Sequence, residues 1–169
     1  MDSRIVGQFK VALGNLDAIL GKAADYAAAR GFSPDAYLQA RLAPDMLAFP
    51  RQIQICCDTA KATAANLARR EIPKFEDSEV TLADLRGRIA KTLAFLATIP
   101  DGEIDACDPE PLIALTFPPG KAIRASVYLY GRQVGNFYFH LTTAYGLLRH
   151  WGVPIGKTDF LGQLELFDA

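Results

Sequence analysis

The chain has 169 residues, of which 50% are hydrophobic and 22% are charged, and its formal net charge is −1. This composition excludes a disordered chain, and without a basic excess we expect no nucleic-acid partner. No apolar stretch approaches the roughly 18 residues that span a bilayer, and we see no signal peptide, so we expect no membrane partner. The three cysteines are an odd number, which favours reduced thiols and a cytoplasmic protein. The chain length predicts a single domain over residues 1–169.

Four long segments repeat hydrophobic residues every three or four positions, which is the pattern of helices with one buried face. The predicted helices cover residues 5–29, 44–69, 82–99 and 127–151. Ser33-Pro34 predicts a short helix after the first of them, and Thr81 with Asp84 predicts a capping box for the third. Four long helices with cross-connections predict an all-α four-helix bundle.

The second predicted helix begins at Pro44, so that Pro50 falls in its second turn and should bend it. Cys56 and Cys57 lie within its apolar pattern and are expected to be small buried hydrophobic residues. The opposite face is expected to be exposed to solvent, and it carries Arg51, Gln54, Asp58, Lys61 and Ala65.

Residues 112–117 and 123–127 are short β-like runs on either side of a Pro-Pro-Gly-Lys turn. They predict a small β-hairpin inserted before the last helix. That last helix is apolar nearly all round, and such a helix needs cover on several sides. We therefore expect a subunit interface and a homodimer.

A stripe of polar residues interrupts the apolar surface of the last predicted helix. Asn136 and His140 are four residues apart and share one helical face, which Gln133 and Thr143 extend. Buried polar groups cost about 1–3 kcal/mol each when they are unpaired, so this stripe needs partners. Those partners could be side chains, waters, a ligand or a metal.

Gln52 interrupts the apolar pattern of the second helix in a similar way, next to Cys56 and Thr59. If both stripes face one cavity, the predicted ligand-binding residues are Gln52, Cys56, Gln133, Asn136, His140 and Thr143. His140 is the candidate catalytic residue because an imidazole titrates near neutral pH, and Cys56 is a more distant candidate nucleophile. The alternative is a purely structural polar network.

The helical layout resembles the DinB/YfiT-like superfamily. Several runs together resemble one uncharacterised bacterial branch of it, a family of unknown function, over almost the whole chain. These runs are Ala40-Arg41-Leu42-Ala43-Pro44-Asp45-Met46, Arg51-Gln52-Ile53-Gln54, Asn136-Phe137-Tyr138-Phe139-His140, Gly152-Val153-Pro154-Ile155-Gly156-Lys157 and Asp159-Phe160-Leu161-Gly162. The resemblance implies a DinB-like bundle and, often, homodimerisation.

Metal-binding members of that superfamily use one histidine on the second helix and an H-x-x-x-H pair on the last, and some are thiol-dependent transferases. The resemblance places Gln52, Asn136 and His140 at these positions, so only one imidazole remains. Amide oxygens are poor ligands for Zn²⁺ or Ni²⁺. We therefore expect a degraded site with no resident metal cofactor, although weak binding of a divalent metal stays open.

Three functions follow from these observations, and whether the protein is an enzyme stays open. The first is a pocket between helices that binds a small polar or amphipathic molecule or, weakly, a metal. The second is a dimeric scaffold without catalysis. The third is a metal-dependent thiol transferase of the type that the resemblance implies.

Overall fold

Four long helices lie side by side, and three short helical elements, a π-helical segment and a two-stranded hairpin connect or extend them. A computed structural model describes residues 1–167, so the last two residues of the predicted domain lie outside the described part. The elements are α1 (Ser3–Ala29), a 3₁₀ helix (Pro34–Gln39), α2 (Phe49–Leu67), α3 (Leu82–Ala97), α4 (Asp101–Asp105), β1 (Leu112–Ala114), β2 (Ala122–Arg124), a π-helical segment (Val127–Gln133), α5 (Val134–His150) and α6 (Lys157–Leu161).

Helix α1 begins two residues before its predicted start and ends where predicted. Asp2 caps it by accepting a hydrogen bond from the backbone N–H of Arg4. Its buried face carries apolar residues at the predicted spacing, among them Phe9, whose ring stacks on Phe137 of α5 with the centroids 4.1 Å apart. Gly31 follows the helix with a φ of +74°, a left-handed conformation that glycine adopts without steric cost.

Helix α2 begins at Phe49, and the expected start at Pro44 is wrong. Pro50 lies in the first turn, where the missing N–H of proline would be unpaired in any case, so it starts the helix instead of bending it. Residues 43–46 form a turn, which is closed by a hydrogen bond from Met46 N to Ala43 O. Cys56 and Cys57 are fully buried free thiols, in agreement with the expectation.

The outer face of α2 is not exposed as expected. Gln54, Lys61 and Ala65 are buried. The connection between α2 and α3 folds back over Gln54 and Lys61. Gln54 Nε2 donates to Glu79 at 2.7 Å, and Lys61 Nζ lies 4.0 Å from the centroid of the Phe75 ring. The hydrophobic pattern of a helix does not show whether a non-helical connection packs over its polar face and buries the side chains there.

Helix α3 begins with the capping box that the sequence predicts. Thr81 Oγ1 accepts from the backbone N–H of Asp84 at 3.0 Å, and the Asp84 carboxylate accepts from Thr81 N at 3.0 Å. The helix ends at Ala97, two residues earlier than predicted. Thr98 follows as its C-cap, and its hydroxyl donates to Phe95 O.

The predicted hairpin is present but shorter, with Leu112 paired to Arg124 and Ala114 to Ala122 in antiparallel register. It leads directly into the last helical stretch. The first turns of that stretch are π-helical from Val127 to Gln133, and regular α-helix follows from Val134 to His150. A π-helix bonds residue i to i+5, and this wider turn brings Tyr128 and Gln133 into contact.

Helix α2 lies at the centre of the bundle and packs most extensively on α5 and α3. The buried core is formed by the apolar faces of the four long helices, together with Tyr37 of the 3₁₀ helix and Ile104 of α4. Within residues 1–167, none of the helices is both long enough and apolar enough to cross a bilayer.

Candidate functional site

Helices α2 and α5 bring Gln52 and His140 into direct contact, with Oε1 of Gln52 at 2.7 Å from Nδ1 of His140. The amide nitrogen of Gln52 donates to the backbone carbonyl of Leu47 at 2.8 Å. Because a carbonyl can only accept, the amide oxygen of Gln52 must face the ring, and Nδ1 of His140 must carry the proton. The pair therefore fixes both the orientation and the tautomer of the imidazole.

The other ring nitrogen of His140 is left with an accepting lone pair. Within residues 1–167, Nε2 has no hydrogen-bond partner and is not among the buried unpaired atoms, so solvent can reach it. Burial lowers the pKa of His140 below its usual value, and the positive charge of Arg51 lowers it further. The ring is thus held neutral at physiological pH, with Nε2 able to accept a proton or a hydrogen bond.

The other members of the predicted stripe have separate partners. Asn136 Nδ2 donates to Thr59 Oγ1 at 2.7 Å, and Thr143 Oγ1 donates to the carbonyl of Phe139 in its own helix. Cys56 Sγ donates to Phe137 O at 3.5 Å, and burial raises the pKa of this thiol well above its usual value. A buried thiol of this kind does not supply the thiolate that a nucleophile needs.

Each residue at the three ligand positions that the resemblance implies already has a hydrogen-bond partner in the protein. Gln52 and His140 are hydrogen-bonded to each other, while the amide of Asn136 is bonded to Thr59. Within residues 1–167, His, Cys, Asp and Glu side chains form no group of three that could hold a metal ion. Two amides and one imidazole therefore do not fit Zn²⁺ or Ni²⁺.

A cleft that the sequence did not reveal lies along the outer side of α2 and has a volume of about 630 Å³. We call it the α2 cleft. Its walls come from α2, residues 72–75, residues 114–117 and the π-helical segment. The lining residues are Arg51, Ile55, Asp58, Thr59, Lys61, Ala62, Asn66, Ile72, Pro73, Lys74, Phe75, Ala114, Leu115, Thr116, Phe117, Tyr128, Arg132 and Gln133.

The charged residues of the α2 cleft are unbalanced, with four cations and one carboxylate. Asp58 pairs with Lys61 at 2.9 Å, and Arg51 is bonded to Asp77. Lys74 and Arg132 have no carboxylate within 4.0 Å in the described part of the chain. The cleft is therefore positively charged, although the chain as a whole is slightly negative.

Comparison with known proteins identifies the family. The family described as a domain of unknown function, DUF1993, matches residues 1–161, and the chain belongs to it. The crystal structure of a DinB family member protein from Shewanella denitrificans is 39% identical in sequence, and the match covers 97% of this chain and 93% of that chain with a TM-score of 0.90. No curated protein matches the chain. These findings confirm the predicted DinB-like helical fold and the family of unknown function.

Proposed function

We propose that the protein binds a small amphipathic organic molecule in the α2 cleft, without a metal. The cleft itself carries the proposal, since its volume of about 630 Å³ falls in the range of small-ligand sites, roughly 300–1,000 Å³. The cleft has an apolar wall that is formed by Ile55, Ala62 and Phe75. Positive charge is added by Lys74 and Arg132. An amphipathic molecule matches this combination.

The polar stripe of the last predicted helix adjoins this cleft. Gln133 lines the cleft directly, and Thr59, another lining residue, accepts the hydrogen bond of Asn136. The charge of Arg51, which also lines the cleft, acts on His140. In this proposal Gln133 contacts the ligand, and Asn136 positions the Thr59 side chain in the wall of the cleft through its hydrogen bond. His140 does not line the cleft, so it has no contact with the ligand in this proposal.

A fluorescent neutral probe, N-phenyl-1-naphthylamine, tests the proposal by titration. We expect saturable binding of one probe per chain, because the apolar wall accepts its rings without a charge. Ala62→Trp, which fills the cleft, should weaken binding at least about tenfold, which corresponds to about 1.4 kcal/mol. Ala90→Trp introduces the same side chain on the exposed surface of α3 and serves as the control.

Binding that is equally strong in Ala62→Trp and in the unchanged protein would show that the probe lies elsewhere, and absence of binding would remove the proposal. A metal-dependent reaction is the competing function. Elemental analysis of protein purified without added metal separates the two, since one bound metal ion per chain would contradict a site without metal.

We also propose that the protein is a homodimer, as expected for a scaffold. The supporting observation is an apolar groove of about 690 Å³ between α1 and the region of α6. Val11, Leu161 and Leu164 line it and remain exposed in the single chain. A second copy that covers this groove would remove these apolar side chains from water.

A further inference from the structure

We propose that residues 71–75 form a lid on the α2 cleft, and that this lid moves toward α3 when a small molecule enters. Such a lid deepens the proposed function, on which it rests, because it controls how the ligand reaches the site. Three features define the lid: its backbone makes few contacts, its two ends are anchored, and open space lies on both of its sides.

The lid is held to the rest of the protein by few contacts. Residues 71–80 form no helix or strand, and within residues 1–167 the backbone of the lid makes no hydrogen bond to another backbone group. Ile72 is exposed and Phe75 is half-buried, and neither is part of the hydrophobic core. Segments with so few hydrogen bonds and buried apolar contacts open at a low cost in free energy.

Both ends of the lid are anchored by arginine side chains. At its start, the Arg70 guanidinium donates to the two carboxylate oxygens of Glu103, at 2.7 and 2.6 Å. At its end, the buried guanidinium of Arg88 donates to the carbonyl of Glu76 at 3.1 Å and to the carboxylate of Glu79 at 2.9 Å. The lid between these anchors can therefore move while its ends stay in place.

The lid separates two cavities. Lys74 and Phe75 line the α2 cleft, and the same two residues line a second cavity of about 510 Å³ beside α3. We call this second one the α3 cavity, and Gly87 of α3 also lines it. Because the α3 cavity offers room for the lid, a shift of the lid into it would widen the α2 cleft without displacing the packed helices.

The closed lid covers Lys61 of α2. The Phe75 ring centroid lies 4.0 Å from Lys61 Nζ, and the lysine side chain is only 5% exposed. A cation over an aromatic ring favours the closed lid by a factor of about two to thirty, so the closed state dominates and the open state stays accessible. The Lys61 amine therefore reports on opening, since a reagent reaches it when Phe75 moves away.

Acetylation of lysine amines by sulfo-N-hydroxysuccinimide acetate, followed by mass spectrometry, tests the lid without a ligand. We expect Lys61 to react slowly and the exposed Lys121 to react fast in the same sample. Gly87→Leu fills part of the α3 cavity, so it should slow the acetylation of Lys61 at least about fivefold by making the open state less favourable. The rate at Lys121 should stay the same.

Gly14→Leu is the matched control for this substitution. Both glycines lie in long helices, and a Cβ added at either position meets no atom within 4 Å, so neither variant is expected to disturb the fold. Gly14 lies on α1 outside both cavities. We therefore expect the acetylation rate of Lys61 in Gly14→Leu to equal that in the unchanged protein.

Phe75→Ala is a second variant, with the opposite expected effect. It removes the ring that covers Lys61, so the acetylation of Lys61 should become at least about twofold faster. Stopped-flow fluorescence with N-phenyl-1-naphthylamine then relates the lid to the site. Gly87→Leu should slow association of the probe, because entry requires the open state, whereas Gly14→Leu should not.

Equal acetylation of Lys61 in Gly87→Leu and in the unchanged protein would overturn the lid, and so would a folded Phe75→Ala variant with no faster acetylation. Equal association rates of the probe in Gly87→Leu and in the unchanged protein would also overturn it. In these cases the proposed function would stand, because the probe still binds in the cleft. Absence of probe binding would remove the proposed function and, with it, the role of the lid.

Discussion

The hydrogen bond between Gln52 and His140 joins α2 to α5 inside the bundle. Gln52 is almost fully buried and His140 is 9% exposed, so each side chain satisfies a polar atom that would otherwise be unpaired. The same bond fixes the ring so that Nε2 is free. One contact thus serves the packing of the bundle and prepares a proton acceptor, and a structural role and a functional role do not exclude each other.

Removal of the imidazole should destabilise the protein. In His140→Ala, Gln52 Oε1 loses its donor inside the bundle, so we expect the free energy of unfolding to fall by about 1–3 kcal/mol. Thr143→Ala is the control on the same helix, because its hydroxyl bonds only to its own helix, and we expect a change within about 0.5 kcal/mol. Urea denaturation measures both. An unchanged stability in His140→Ala would show that the bond contributes nothing.

The stability should also depend on pH through His140. Burial first, and Arg51 second, lower the folded-state pKa of His140 below the usual value of about 6.5. As the pH falls through the usual value, the unfolded chain takes up a proton that the folded chain does not yet bind. The free energy of unfolding therefore decreases from its value at higher pH.

His140→Gln is the variant that isolates this effect, because its side chain is neutral at every pH. We expect the free energy of unfolding of the unchanged protein to decrease relative to that of His140→Gln between about pH 7.5 and about pH 5.5, where most carboxylates stay ionised. Two parallel curves in urea denaturation over this range would contradict a depressed pKa.

At the scale of the elements, Arg88 of α3 holds the connection of residues 70–80 against the bundle. Its guanidinium is buried and lies 2.9 Å from a Glu79 oxygen and 3.0 Å from oxygens of Asp58 and Asp77. It also donates to the carbonyl of Glu76 at 3.1 Å. Because this connection forms one wall of the α2 cleft, the arginine supports the cleft without lining it.

Arg88→Met should be strongly destabilising, because it leaves three carboxylates without their shared cation. We expect a loss of about 3–5 kcal/mol in the free energy of unfolding, as for other broken buried ion pairs. Arg86→Met is the control two residues away, where an exposed pair with Asp17 should contribute less than about 1 kcal/mol. Equal effects of the two substitutions in urea denaturation would contradict the role given to Arg88.

The long helices were predictable from sequence because their apolar faces repeat at helical spacing, as in α1 and α3. The start of α2 was not predictable in this way, because the hydrophobic pattern alone does not show that Pro50 lies in the first turn of the helix. The burial of Lys61 was also missed, because the Phe75 ring that covers it is brought there by tertiary structure. The π-helical turns escaped prediction for a related reason, because their hydrophobic pattern does not differ from that of an ordinary helix.

At the scale of the whole molecule, the contact between Gln52 and His140 could be foreseen, because two polar breaks in apolar helices must find partners. The α2 cleft could not be foreseen. Its walls come from α2, residues 72–75, residues 114–117 and the π-helical segment, which no local pattern relates. Only Gln133 among the predicted ligand-binding residues lines it, and it was predicted for its place on the polar stripe of the last predicted helix.

The proposed homodimer gives a prediction at this scale. Sedimentation at micromolar concentration should show two chains per particle. Val11→Lys places a charge in the apolar groove and should weaken association at least about tenfold, because a buried charge without a partner is costly. Val80→Lys is the control, since Val80 is also exposed but lies outside the groove. A strict monomer would contradict the dimer.

The central claim is that the α2 cleft holds a small amphipathic molecule. A crystal structure of the protein soaked with N-phenyl-1-naphthylamine tests it most directly. The account predicts the probe in the cleft, with its rings within about 4.5 Å of the Ile55 or Phe75 side chain. A probe bound only outside the α2 cleft, for example in the groove beside Val11, would contradict it.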